Sequence, residues 1–161
     1  MARKSRIAAN IKALLSRADV LCLQETKLNV NEGDNGPGVL ARMAPYAIPF
    51  YSNSRRGTAG VAILVNRTFA NHFLIEVVNL PPSLKGYVLA IRFTPLLPGF
   101  PPCSVFNCYI NPTSFAPKSA QLTALCSIKA PCYSFFLGDW NCSLSDEDSS
   151  SAEFIPPPPE F

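Results

Sequence analysis

Short apolar runs ending on polar residues recur along the chain, and helix-spaced apolar positions lie between several of them. Ile7, Ile11, Leu14, Leu15 and Ala18 share one helical face, which predicts a helix over 5–17. Asp19 then opens Val20-Leu21-Cys22-Leu23-Gln24, the unbroken apolar run expected of a strand covered on both faces. Residues 61–65 (Val-Ala-Ile-Leu-Val) read the same way. Residues 73–78 and 87–93 predict two more strands, and Pro81-Pro82 between them suits an antiparallel pair. Residues 104–110 are β-rich. A strand over 46–53 is confined to an edge by Pro49. A helical turn is predicted over 39–43, and a helix over 118–128 with Leu122, Leu125, Cys126 and Ile128 on one side. Helix-to-strand succession of this kind points to an α/β domain.

The last apolar run, over 134–142, ends differently. Ser134-Phe135-Phe136-Leu137 leads into Gly138-Asp139-Trp140-Asn141, which reads as a buried strand with a polar tip. Gly138 permits a tight backbone approach or an unusual dihedral. In extended backbone, Asp139 and Asn141 point to the same side. A carboxylate and a carboxamide so placed can hold a hard metal, a phosphate oxygen or an attacking water. Gly, Asp and Asn are also turn residues, so a simple turn is the competing reading.

Composition narrows the class. The 161 residues, 48% hydrophobic, suit one globular domain with a sizeable core. The 16 prolines argue against long helices and fall mostly between apolar runs. A net charge of +3 permits a phosphate-bearing partner without demanding one. The six cysteines show no Cys-x-x-Cys pair and read as small buried hydrophobes in a reducing compartment. With one histidine, His72, a zinc site is disfavoured. There is no secretory leader and no membrane-length apolar run, so an intracellular location, nucleus or cytoplasm, is expected. The basic start (Arg3, Lys4, Arg6) reads as a solvated end.

Residues 29–38 read as a loop. Gly57-Thr-Ala-Gly60 offers either a phosphate cradle or a turn with close packing, and packing is favoured. The domain is expected to span 1–142. The Ser/acidic and Pro-rich stretch 143–161 buries too little apolar surface to offset its ordering entropy and is read as a disordered tail.

Two strings carry a resemblance: ADVLCLQETK (18–27) and FLGDWN (136–141), with GTAGVAILV (57–65) and FNCYINP (106–112) in order between them. Together they resemble signature strands of the endonuclease/exonuclease/phosphatase superfamily. The likeness is to its apurinic-endonuclease-like branch, which includes the endonuclease domains of non-LTR retrotransposons. It covers about residues 5–142. The implied fold is a four-layer α/β sandwich, two mixed sheets back to back with outer helices. The implied chemistry is phosphate-ester cleavage with a divalent metal, magnesium or in its place manganese. By this resemblance Glu25 is the metal ligand and Asp139 orients or deprotonates the attacking water. Asn141 partners it near the scissile phosphate, and Tyr109 contacts that phosphate. The implied partner is nucleic acid, DNA ahead of RNA.

The chain departs from the family pattern in three places. It starts at the first helix, without the preceding strand that bears an asparagine near the metal. It reads Tyr109-Ile110-Asn111-Pro112 where the family has Tyr-x-Pro-Asn. It also lacks the closing Ser-Asp-His string, and His72 lies elsewhere in the order. The expectation is therefore a domain incomplete at both ends, with impaired hydrolysis. An inositol-phosphate or lipid-headgroup phosphatase and a non-catalytic binding module stand as alternatives. Glu25 and Asp139 are expected to converge at one rim of the core.

Overall fold

The computed structural model describes residues 2–28, 36–53, 59–111, 115–130 and 133–142. In chain order the elements are α1 (Ala2–Leu15), β1 (Val20–Leu23), α2 (Gly36–Met43), β2 (Ala47–Ser52), β3 (Val61–Asn66), α3 (Arg67–Ala70) and β4 (Phe73–Val77). A 3-10 turn (Pro82–Leu84), β5 (Val88–Pro95), β6 (Cys103–Tyr109), α4 (Phe115–Cys126) and β7 (Ser134–Asp139) follow.

Two sheets result, ordered β1-β3-β2 and β4-β5-β6-β7. The first is antiparallel throughout; the parallel pair that makes the second sheet mixed is β6 with β7, joined by the α4 crossover. β3 shows why the layers form. Its Val61, Ile63 and Val65 enter a core with Leu89, Ile91, Phe93, Val105 and Tyr109 of the other sheet. Its Ala62 and Leu64 face Ile11, Leu15 and Leu40 of α1 and α2. The outer face of the second sheet, with Val88, Ala90, Phe106 and Cys108, packs on Leu84 and on Leu125 of α4. Period-2 alternation thus serves two apolar layers at once, and the architecture is the four-layer sandwich.

Several expectations need correction. The apolar run of β1 predicts a strand covered on both faces and that of β7 a buried strand, yet both are sheet edges. β1 is half-buried, and Phe135 and Leu137 of β7 are 55% and 48% exposed. The first helix buries Ile11 and Leu15 but exposes Ile7 and Leu14. The helix predicted from 118 begins at Phe115, and it buries Gln121 and Leu125 while Cys126 is exposed. Residues 36–38, read as loop, start α2. β2 is an edge strand as its proline requires, with Pro49 opposite Leu64. Of the cysteines, Cys108 is buried, whereas Cys126 and Cys142 are exposed. The 143–161 tail, Gly57 and residues 29–35 lie outside the described residues. Among those described, no helix is long and apolar enough to cross a membrane.

Candidate active site

Tyr109 ends β6 on the face between the sheets, and the site is built around it. Its ring stacks parallel to Tyr87 at 6.4 Å, and its backbone N–H donates to the Tyr87 carbonyl at 2.7 Å. Its phenol donates to Oε1 of Glu25 at 2.6 Å, joining residues 84 positions apart. In the parallel register Tyr109 lies opposite Asp139, and Ile110 N–H donates to the Asp139 carbonyl at 2.9 Å. Glu25 from one sheet and Asp139 from the other therefore meet at Tyr109. The phenol registers this: its pKa is pushed up to about 12, first by the bond to Glu25, then by burial, then by the charges of Glu25 and Asp139.

Glu25 sits on a strained turn. Among the described residues, the non-glycine residues with positive φ are Glu25 (50°), Lys27 (48°) and Asn141 (46°), all at this end of the core. Such conformations persist only where their surroundings over-determine them. Here Thr26 N–H donates to the Gly60 carbonyl at 3.0 Å and Lys27 N–H to that of Ala59 at 3.1 Å. Gly60 has φ +116°, and a Cβ there would meet Oγ1 of Thr26 at 2.5 Å, so its role is close packing. The other carboxylate oxygen of Glu25 accepts from Lys27 Nζ at 2.9 Å. The Tyr109 hydrogen bond, and after it Lys27, hold the Glu25 carboxyl below the usual glutamate range.

The sign for pH follows from that direction. A depressed carboxyl favours the folded state above the ordinary glutamate range, and the gain is lost as pH falls through the depressed value. Tyr109→Phe removes the largest cause, so Glu25 is expected to titrate at higher pH in that variant. Carbon-detected NMR of the side-chain carboxyl reads this directly, and an unchanged midpoint would reject the hydrogen bond as its cause.

Asp139 and Asn141 are not aligned along extended backbone. Asn141 N–H donates to Oδ1 of Asp139 at 3.0 Å, closing a turn in which Asn141 adopts φ 46°. The turn reading is therefore realised. Asn141 Nδ2 donates back to the Ile110 carbonyl at 2.7 Å, tying the tip to the end of β6. Trp140, between them, packs on the opposite side against the cluster under α4. From α4, Lys118 Nζ donates to the Asn141 carbonyl, and Oε1 of Gln121 accepts from Asn111 N–H at 2.9 Å.

The Endonuclease/Exonuclease/phosphatase family model matches residues 1–157. The chain belongs to this family. Its members are hydrolases of the nuclease and phosphatase type and generally use divalent metals. No curated protein matches the chain.

The family's metal can be tested against the residues present. Among the described residues no three His, Cys, Asp or Glu side chains cluster. Magnesium does not need such a cage, since it takes one or two carboxylates and keeps several waters. Glu25 and Asp139 are exposed, oxygen-only donors at one rim, and this set fits a hard cation. Lys27, paired with Oε2 of Glu25, would compete with a cation for that carboxylate.

The four predicted residues, Glu25, Tyr109, Asp139 and Asn141, are all brought to this end of the sheets. His72 is not. It precedes β4, whose Phe73 pairs with Pro95 at the far end of β5, while Val88 at the near end pairs with Cys108. The buried thiols add no nucleophile, because burial pushes Cys22 up to about 11 and Cys108 up to about 12. Asn107 and Gln24 lie inside the strings that carry the resemblance but are given no role by it, and Lys118 lies outside them. For Asn107 the usable clue is a lone carboxamide in an apolar strand, since a buried amide must find partners.

Proposed function

We propose that this rim is a metal-dependent phosphodiester-hydrolysing site of the nuclease type that takes nucleic acid, DNA ahead of RNA. The observation that carries the reading is the 2.6 Å bond from Tyr109 to Glu25, made by the residue whose backbone pairs with Asp139. The Glu25 carboxylate is thereby held by a phenol whose own backbone pairs with Asp139. Glu25 and Asp139 would hold magnesium, or manganese in its place, which supplies charge neutralisation at the scissile phosphate. Asp139 orients the attacking water and accepts its proton. Asn141 shapes the tip through its turn with Asp139. Tyr109 has a phenol that stays protonated at neutral pH; its one proton goes to Glu25, and it would pass to a phosphate oxygen once a cation takes up that carboxylate.

His72 lies at the opposite end of the second sheet, which favours a second reading, a site that binds metal and phosphate ester with little turnover. Both readings share one test. Abasic duplex, plasmid and inositol phosphates are compared for magnesium-dependent binding by the parent chain and by Asp139→Ala. Duplex retained in magnesium, released by chelation and weakened in Asp139→Ala is the expected result. Tighter binding of the inositol phosphates would overturn the substrate class.

Metal binding itself is expected to be weak and to depend on Glu25. A largely hydrated magnesium ion gains little from one or two carboxylates until a substrate phosphate joins its shell. Calorimetric titration of Glu25→Ala should show less binding than the parent; equal binding would remove Glu25 from the metal role.

A further inference from the structure

We propose that Asn107 is a positioning residue for this site, locking the strand that carries Tyr109 to the strand that leads into Glu25. Asn107 is fully buried between the sheets. Its Nδ2 donates to the Leu23 carbonyl at 2.9 Å and to the Ala62 carbonyl at 2.8 Å. Its Oδ1 accepts from Gln24 Nε2 at 2.6 Å. Both amide protons are thus used, and both go to the other sheet.

The placement of these bonds gives them meaning. Leu23 and Ala62 face each other as the final registered pair of β1 and β3. Asn107 therefore spans the end of that ladder at the point where the chain leaves for Gln24 and Glu25. Asn107 and Tyr109 are two apart on β6 and point to the same face. They form two successive rungs between the sheets: Asn107 to Leu23 and Gln24, then Tyr109 to Glu25.

An apolar side chain would fill this position without the cost of desolvating an amide. Apolar packing, however, tolerates small slides that directed hydrogen bonds do not. A slide of the sheets would part Tyr109 from Glu25. Glu25 also needs restraint on both sides of its positive-φ backbone. Thr26 and Lys27 are tied to Gly60 and Ala59 after it, and the Gln24 side chain is tied to Asn107 before it.

Only the effect on metal binding rests on the proposed function; the positioning itself is structural and is measured separately. Two variants test it. Asn107→Leu removes all three bonds. Gln24→Met removes one and leaves both bonds to the strand carbonyls, so it decides the matter if Asn107→Leu does not fold. Nuclear Overhauser contacts between the Tyr109 ring and the Glu25 side chain are recorded well below each melting temperature, and Mn²⁺ affinity is measured by paramagnetic relaxation.

The expected result is loss or marked weakening of those contacts in the folded variants, with Mn²⁺ affinity reduced about 10-fold or more. A residue serving only stability would lower the melting temperature and leave the contacts intact, and that result would overturn the inference. Lost contacts together with parent Mn²⁺ binding that is indifferent to Glu25→Ala would uphold the positioning and reject the metal reading.

Discussion

The 161-residue chain is expected to cleave DNA about 10²- to 10⁴-fold more slowly than a family nuclease with an imidazole at its site. Hydrolysis needs the metal, an aligned water and a donor or base at the leaving oxygen, all held together. On the proposed function, Glu25, Asp139, Asn141 and Tyr109 would supply the first two requirements and one phosphate contact. The one histidine of the sequence cannot supply the third. His72 neighbours the Phe73–Pro95 pair, a full β5 strand away from the Tyr109 end, roughly 20–25 Å along the sheet. Lys27 holds one oxygen of Glu25 and would compete with a cation for it. Supercoiled plasmid and abasic duplex incubated with magnesium at high protein concentration give the measurement. Efficient magnesium-dependent cleavage that Asp139→Ala abolishes would refute this expectation.

Gly138→Ala is expected to detach the end of β7 and to disable the site without touching a functional side chain. Gly138 has φ +146° and lies opposite Cys108 in the parallel pair. A Cβ there would sit 1.8 Å from the Cys108 carbonyl oxygen and 2.9 Å from its nitrogen. These are backbone atoms of a buried strand, so no side chain can swing away. Full accommodation would cost upwards of about 4 kcal/mol, in the range reserved for severe core defects. An edge strand has a cheaper escape, which is to unpair locally. The Ile110 N–H bond to the Asp139 carbonyl should then exchange with solvent far faster than in the parent, and Asp139 should leave Tyr109. Hydrogen exchange at Ile110, read beside the melting temperature, checks this. Parent-like protection there would show that the strand accommodates the methyl group.

How much of this was legible in the sequence differs strand by strand. For β3 the apolar run and its burial on both faces agree, because it is the central strand of its sheet. β1 and β7 have runs of the same character, but an apolar run reports that a strand can be covered, not that it is. Gly138 was readable as a close approach, since glycine ahead of a polar tip leaves few other reasons. Glu25 and Asp139 are singled out by the resemblance of the strings that hold them, and the pattern adds that each follows an apolar run with a carboxylate. The geometry of Asn141 was not, because strand alternation was carried past Asp139, where a side-chain-to-backbone turn takes over. Asn107 was hidden for another reason. The string that holds it gives it no role, and its partners Leu23, Gln24 and Ala62 lie on or just past strands of the other sheet.

The span of the Tyr109–Glu25 contact also bears on how the molecule assembles. The β4, β5 and β6 strands are antiparallel neighbours in sequence and can zip early, whereas the Glu25 and Gln24 bonds close loops of 84 and 83 positions. The rim is therefore expected among the last features to form, and on the proposed function a partly folded chain would offer a cation no site. A bound cation would thus stabilise the native state alone. Its kinetic signature should be slower unfolding with an unchanged refolding rate, because the contacts it strengthens are absent from the transition state.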